Sequence, residues 1–110
     1  MVTVHRPILE GEEYLAFAES MPEPVGGIKA IHAKLKYPKV AQEAKLQGKV
    51  FVLVFVNANG GVDDVKVVKG LGGGCDEEVV EAVKSTKFVP GKNKGQPIKV
   101  KLALSFEFKL

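Results

Sequence analysis

Strict alternation of apolar and polar positions is clearest at the end of the chain. Ile98, Val100, Leu102, Leu104, Phe106, Phe108 and Leu110 share one face of an extended segment, and Lys99, Lys101, Ala103, Ser105, Glu107 and Lys109 share the other. The pattern predicts one uninterrupted final strand, fed from Phe88–Pro97 by a turn at Pro90-Gly91. Another strand is predicted over Lys49–Val56, where Val50, Val52, Val54 and Val56 oppose Phe51, Leu53 and Phe55. Both of its faces are apolar, so it is expected at the centre of a sheet, covered on each side. Asn57-Ala58-Asn59-Gly60-Gly61 supplies the residues a hairpin loop needs for positive φ, and Val62–Lys69 follows as the partner strand with Val65 and Val67 inward.

Helical spacing appears in three places. Ile28, Ile31 and Leu35 predict a short helix that stops before Tyr37-Pro38, because the residue preceding a proline is pushed out of helical geometry. Pro38 suits the first turn of a second short helix whose apolar members are Val40, Ala41, Ala44 and Leu46. After the flexible cluster Gly70, Gly72, Gly73 and Gly74, an amphipathic helix runs from about Asp76 to Ser85. Its first turn is acidic, Lys84 and Lys87 lie at its end, and Val79, Val80 and Val83 face inward. Upstream, Met21–Gly27 reads as a loop, Tyr14–Glu19 as extended, and Met1–Glu13 as a lead-in tail.

Two hairpin strands, a helix and a third strand make a split β-α-β. The expected fold class is therefore α+β: a three-stranded, antiparallel-type sheet in the order second-first-third, with one packing helix and short N-terminal helices. The packing helix is expected on one sheet face and the N-terminal helices over part of the other. Residues 1–20 are set apart as a tail or additional extended segment, and 21–110 as the domain.

The final strand changes the functional picture. It is long, sparsely charged at its middle and terminal, which makes it an edge to which another chain can add a strand. Charge adds little: the net +3 is carried almost wholly by lysine, with Arg6 the only arginine, a balance of solvated surface rather than of base or phosphate recognition. Gly48–Phe55 faintly resembles an aromatic RNA-recognition octamer, which needs two exposed aromatics on one face, here Phe51 and Phe55. One cysteine excludes an internal disulfide framework, and no apolar run approaches the ~18 residues of a membrane span.

The order Tyr37-Pro38, Ala41, Gly48-Lys49-Val50, Asn59-Gly60, Cys75-Asp76, Phe88-x-Pro90-Gly91 and Gly95-x-Pro97 resembles the C-terminal domain of TonB energy transducers. The likeness covers roughly Met21–Leu110, and Met21-Pro22-Glu23 with Gly26-Gly27 resembles the version found in Bacteroidota-like bacteria. It implies a periplasmic domain of a protein anchored in the inner membrane with ExbB and ExbD. Such a domain captures the TonB box of outer-membrane receptors by strand addition and transmits proton-motive force for active uptake. The anchor and proline-rich linker of that family are not in this sequence. The resemblance places partner contacts on Ile98, Lys99, Val100, Lys101, Leu102, Ala103, Leu104, Ser105 and Phe106, and on Lys36 and Tyr37 beside them. Lys34-Leu35-Lys36 stands where some members carry a Gln-Pro-x segment, and Cys75 where a leucine is common. The alternative reading is a structural module in which the last strands of two copies pair as a homodimer.

No catalytic, cofactor or metal reading emerges. Gly72-Gly73-Gly74 lacks the Gly-Lys-Ser/Thr ending of a phosphate loop, and the adjacent Asp63 and Asp64 point to opposite faces of a strand. His5, His32 and Cys75 have no metal-ligand spacing. Cys75 at a helix start is either an activated thiol or a small apolar filler.

Overall fold

The computed structural model describes residues 14–110, so the expected tail over Met1–Glu13 lies outside the described residues. The elements are β1 (Glu23–Pro24), α1 (Ile28–His32), α2 (Lys39–Glu43), β2 (Gly48–Val56), β3 (Val62–Lys69), α3 (Cys75–Lys84), β4 (Phe88–Val89), β5 (Gly91–Asn93), β6 (Gln96–Ile98) and β7 (Val100–Phe108). The main sheet has the order β3-β2-β7 with both neighbours antiparallel to β2, which is the expected second-first-third arrangement. Two small pairs, β1-β4 and β5-β6, flank it.

Burial explains the central strand. Val50, Val52, Val54 and Val56 are at most 1% exposed, clustered with Val79, Ala82 and Val83 of α3 and with Phe106 and Phe108 of the neighbouring β7. The β2-β3 loop closes because the Asn57 carboxamide oxygen accepts the N–H groups of Asn59 and Gly61, at 2.9 and 3.0 Å. Gly60 must be glycine: at φ 86° its carbonyl accepts the Phe88 N–H at 2.9 Å while its own N–H donates to the Asn57 carbonyl at 3.0 Å. An added Cβ would strike the Phe88 carbonyl. The separated motif pieces Asn59-Gly60 and Phe88 thus meet in space. Asp76 does similar work at the start of α3, its carboxylate accepting from the Leu71 N–H at 2.8 Å.

Several expectations are corrected. The N-terminal helices do not cover the second face of the sheet. Ile31 and Ala41 are fully buried in the same cluster as α3, with Leu35 and Leu46 packed at its margin, because joining the existing core is how each short helix buries part of its apolar stripe; Ile28 and Val40 stay 40% and 66% exposed. The opposite face is therefore covered only in part: Phe55 is 7% exposed beneath Tyr14, whereas Phe51 is 39% exposed. The segment read as a loop, Met21–Gly27, contains β1, which pairs with β4. Glu23 is held extended by the proline after it, and Pro24 has no N–H to leave unsatisfied.

The connection Phe88–Pro97 is not a simple turn at Pro90-Gly91. It holds β4 and then the β5-β6 hairpin, which reverses at Lys94-Gly95 with φ of 50° and 75°. Gly91 instead opens β5 against the sheet, where a Cβ would lie 2.6 Å from a Val100 methyl. The final alternation is also interrupted: Ile98 belongs to β6 and faces Gly91, Lys99 is the break, and β7 begins at Val100. Val67 is 41% exposed rather than buried, since β3 is an edge strand and α3 covers it incompletely.

Candidate functional site

The expected docking strand β7 is an edge of the main sheet. Its orientation is set by its partner. In the β2 ladder Val100, Leu102, Leu104 and Phe106 oppose Val56, Val54, Val52 and Val50, and their side chains point into the core or lie half-buried at its margin. Lys101, Ala103, Ser105 and Glu107 put their side chains on the incompletely covered face.

Backbone parity follows from one contact. Leu15 forms a parallel bridge with Val100: its N–H reaches the Lys99 carbonyl at 3.0 Å, and its carbonyl accepts the Lys101 N–H at 2.9 Å. The odd-numbered residues of β7 therefore aim their N–H and C=O groups away from β2, and the even-numbered residues aim theirs into the ladder. No described strand pairs along Ala103–Glu107. Among the described residues the outer edge is thus part occupied, by the chain's own lead-in at Lys99–Lys101, and part open beyond it. Sequence reasoning missed this occupant because Tyr14–Ser20 has no periodicity to betray a bridge to a strand some eighty positions away.

The same lead-in is tied down along β5. Ser20 and Lys92 exchange backbone bonds at 3.0 and 2.8 Å, and the Glu19 carboxylate accepts the Lys94 N–H at 2.7 Å. At its other end Tyr14 lies edge-on to Phe55 at 5.1 Å and donates its hydroxyl to Asp63. Lys99 places its ammonium 5.6 Å from the Tyr14 ring centroid.

Not all of the expected contact residues gather on this edge. Tyr37 lies at the far end of β7 on the helix-bearing face, edge-on to Phe108 at 5.4 Å and donating its hydroxyl to the Leu46 carbonyl. Lys36 is exposed nearby, its backbone N–H held by Glu78 at 3.2 Å. Lys34 is turned to the end of α3, where its ammonium donates to the Ser85 carbonyl and the Thr86 hydroxyl, both at 3.1 Å. Leu102, Ala103, Leu104 and Ser105 remain as a contiguous group beside the open backbone.

The family model described as "Gram-negative bacterial TonB protein C-terminal" matches residues 33–110. The chain belongs to the TonB C-terminal family. The TonB protein of Helicobacter pylori strain J99 is 35% identical over 80 residues, a stretch that covers 71% of this chain and 29% of that protein. This sequence accordingly spans well under half of the length of that TonB relative. Among solved structures, the H. pylori TonB C-terminal domain matches with a TM-score of 0.58 at 33% identity, covering 74% of this chain and 86% of that one. The Pseudomonas aeruginosa TonB C-terminal domain matches with a TM-score of 0.61 at 26% identity, covering 84% and 89%. The α+β architecture of this TonB domain is thereby matched by solved relatives.

Two side questions are decided by burial. Cys75 is completely buried, and its thiol is pushed up, first by desolvation and then by the carboxylates of Asp76, Glu77 and Glu78. That is the environment of a filler and the reverse of an activated thiol. Burial likewise raises the Tyr37 hydroxyl, with Cys75 adding to it. As for nucleic acid, Phe55 is sealed by Tyr14, so Phe51 and Phe55 do not form an exposed stacking pair. Among the described residues no group of acidic, His and Cys side chains is arranged to hold a metal, and no helix is long and apolar enough to cross a membrane.

Proposed function

We propose that this domain is the periplasmic end of a TonB-type energy transducer and captures the TonB box of outer-membrane receptors by strand addition to the outer edge of β7. The full-length protein would be anchored in the inner membrane and work there with ExbB and ExbD, turning proton-motive force into a pull on the receptor for active uptake. The observation that carries the reading is the Leu15 bridge: the edge accepts a parallel strand with hydrogen bonds of 3.0 and 2.9 Å. Beyond it the outward groups from Lys101 to Glu107 offer about six further bonds to a parallel partner.

The energetics suit a transient grip. About six bonds at a net ~0.5–1.5 kcal/mol each give roughly 3–9 kcal/mol, from which ordering a disordered segment removes ~2–5. Side chains supply the remainder, and an isolated peptide is expected to bind with a dissociation constant of micromolar order or weaker. Titrating receptor N-terminal peptides into the isotope-labelled domain, with mass monitored in parallel, tests the reading. Shifts of the Ala103 and Ser105 amides with a one-to-one complex support it. A rise to a peptide-free dimer through β7 would favour the structural module instead.

A further inference from the structure

Tyr14 shows how this sheet receives an aromatic group from a strand added beside β7. Leu15 is level with Val100, so Tyr14 is level with Lys99, and its ring passes over β7 to pack edge-on against Phe55, 5.1 Å away on β2. Phe55 lies opposite Lys101, one diagonal step from Lys99. Diagonal neighbours ~7–8 Å apart are within reach of an aromatic side chain. The result is a Phe55 that is 7% exposed.

Four residues back along β2 the same lattice repeats without its aromatic. Phe51 points to the same face, lies opposite Ser105 and is 39% exposed. The position level with Ala103 on an added strand stands to Ser105 and Phe51 as Tyr14 stands to Lys101 and Phe55. A groove of about 490 Å³ opens there, lined by Phe51, Val68, Ala103 and Ser105 among others. Two features of the chain create it. Ala103 and Ser105 are small, and a bulge between the pairs Phe51–Lys69 and Val52–Val67 turns Val68 onto this face, where it is 70% exposed.

We infer that this groove selects the partner strand, by seating one aromatic side chain of that strand over Ala103 and Ser105 against Phe51. The inference rests on strand addition to β7 and adds the partner's chemistry. Continuity with the open edge fixes the occupant as the added strand, parallel to β7 as Leu15 is. Charge sets its flanks: Lys49, Lys66, Lys69 and Lys101 outnumber Asp64 and Glu107 on the grooved face, so acidic residues on either side of the aromatic are favoured. Its alternate residues fall beside the half-buried Leu102 and Leu104 and are apolar.

The probe is the peptide acetyl-Asp-Glu-Val-Tyr-Val-Glu-Asp-amide, compared with its Tyr-to-Ala version, titrated into the labelled domain. The tyrosine peptide is expected to shift the Ala103 and Ser105 amides and the Phe51 ring, and to bind at least about tenfold more tightly than the alanine peptide. Phe51→Ala, and separately Ala103→Leu, which fills the groove without touching the core, are each expected to bring that ratio below about threefold. Equal binding of both peptides with shifted edge amides would overturn the groove and leave strand addition standing. Absence of edge shifts with either peptide at millimolar concentration would remove both. If sedimentation shows a dimer that Ala103→Leu abolishes, the groove belongs to a second copy and the assignment fails.

Discussion

Backbone parity in β7 separates two prolines that differ by one position. Leu102 aims its N–H into the ladder opposite Val54, a fully buried residue, whereas Ala103 aims its N–H outward. Leu102→Pro deletes a ladder bond worth ~0.5–1.5 kcal/mol and strands a buried carbonyl at a cost of ~1–3 kcal/mol. With the lost packing of the half-buried leucine, the sum is about 3–5 kcal/mol. A domain of this length has a total stability of roughly 5–15 kcal/mol, so a large part of it is gone. At ~4–8 °C per kcal/mol the melting temperature is expected to fall by roughly 12–40 °C, or the domain to be unfolded outright. Leu102→Ala, which keeps the N–H, isolates the side-chain share. Ala103→Pro removes only an outward donor and is expected to cost under ~1 kcal/mol while weakening receptor-peptide binding about tenfold or more. Thermal melting by circular dichroism and peptide calorimetry on the same three variants read both effects. Unfolding by Ala103→Pro with survival of Leu102→Pro would refute the parity. Survival of fold and full binding in Ala103→Pro would remove β7 as the docking edge.

Other expectations follow from single contacts. Gly60→Ala forces a methyl group onto the Phe88 carbonyl at a positive φ and is expected to cost about 2–4 kcal/mol, measured by urea denaturation. Tyr14→Ala uncovers Phe55 and is expected to cost about 2–4 kcal/mol by the same assay, although Tyr14 lies upstream of the matched family region. The Cys75 thiol is raised in the folded state, so the unfolded chain loses its proton first as pH rises. Stability is unaffected by this group below the unfolded value of ~8.5 and declines above it, and Cys75→Ala is expected to flatten that decline in denaturation curves at pH 7–10. The same burial makes the native thiol slow towards a disulfide reagent at neutral pH.

The legible parts of the fold are those in which side-chain period and local chemistry agree. Gly48–Val56 with its Asn57–Gly61 loop, and the acidic-to-basic helix that follows, appear in the structure within a residue or so of the reading. The β5-β6 hairpin was illegible because Lys92–Pro97 has no apolar alternation and its turn uses Lys94-Gly95 rather than an asparagine. The placement of α1 and α2 was missed for a different reason. A short apolar stripe says that a helix is buried, not on which face of a sheet. For the site, the sequence announced a candidate edge through the alternation of β7, but which amides point outward depends on pairing, which alternation does not encode. Tyr14 as the cover of Phe55, and the bulge that re-aims Val68, are long-range facts of the same kind.

The Leu15 bridge joins residues that are distant in sequence through two backbone bonds, and apart from Tyr14 on Phe55 the lead-in brings little apolar surface to it: Leu15 itself is 42% exposed. Such a contact opens without the rest of the sheet. Neighbouring amides of one strand then report on different events. The Lys101 N–H exchanges with solvent whenever the lead-in lifts, while the Leu102 N–H waits for the ladder itself to break. A hydrogen-exchange experiment in rising denaturant would show Lys101 weakly dependent on denaturant, through the uncovering of Tyr14 and Phe55, and Leu102 strongly dependent on it, so that two adjacent residues measure the free energy of clearing the occupied end of the edge and the free energy of losing the fold.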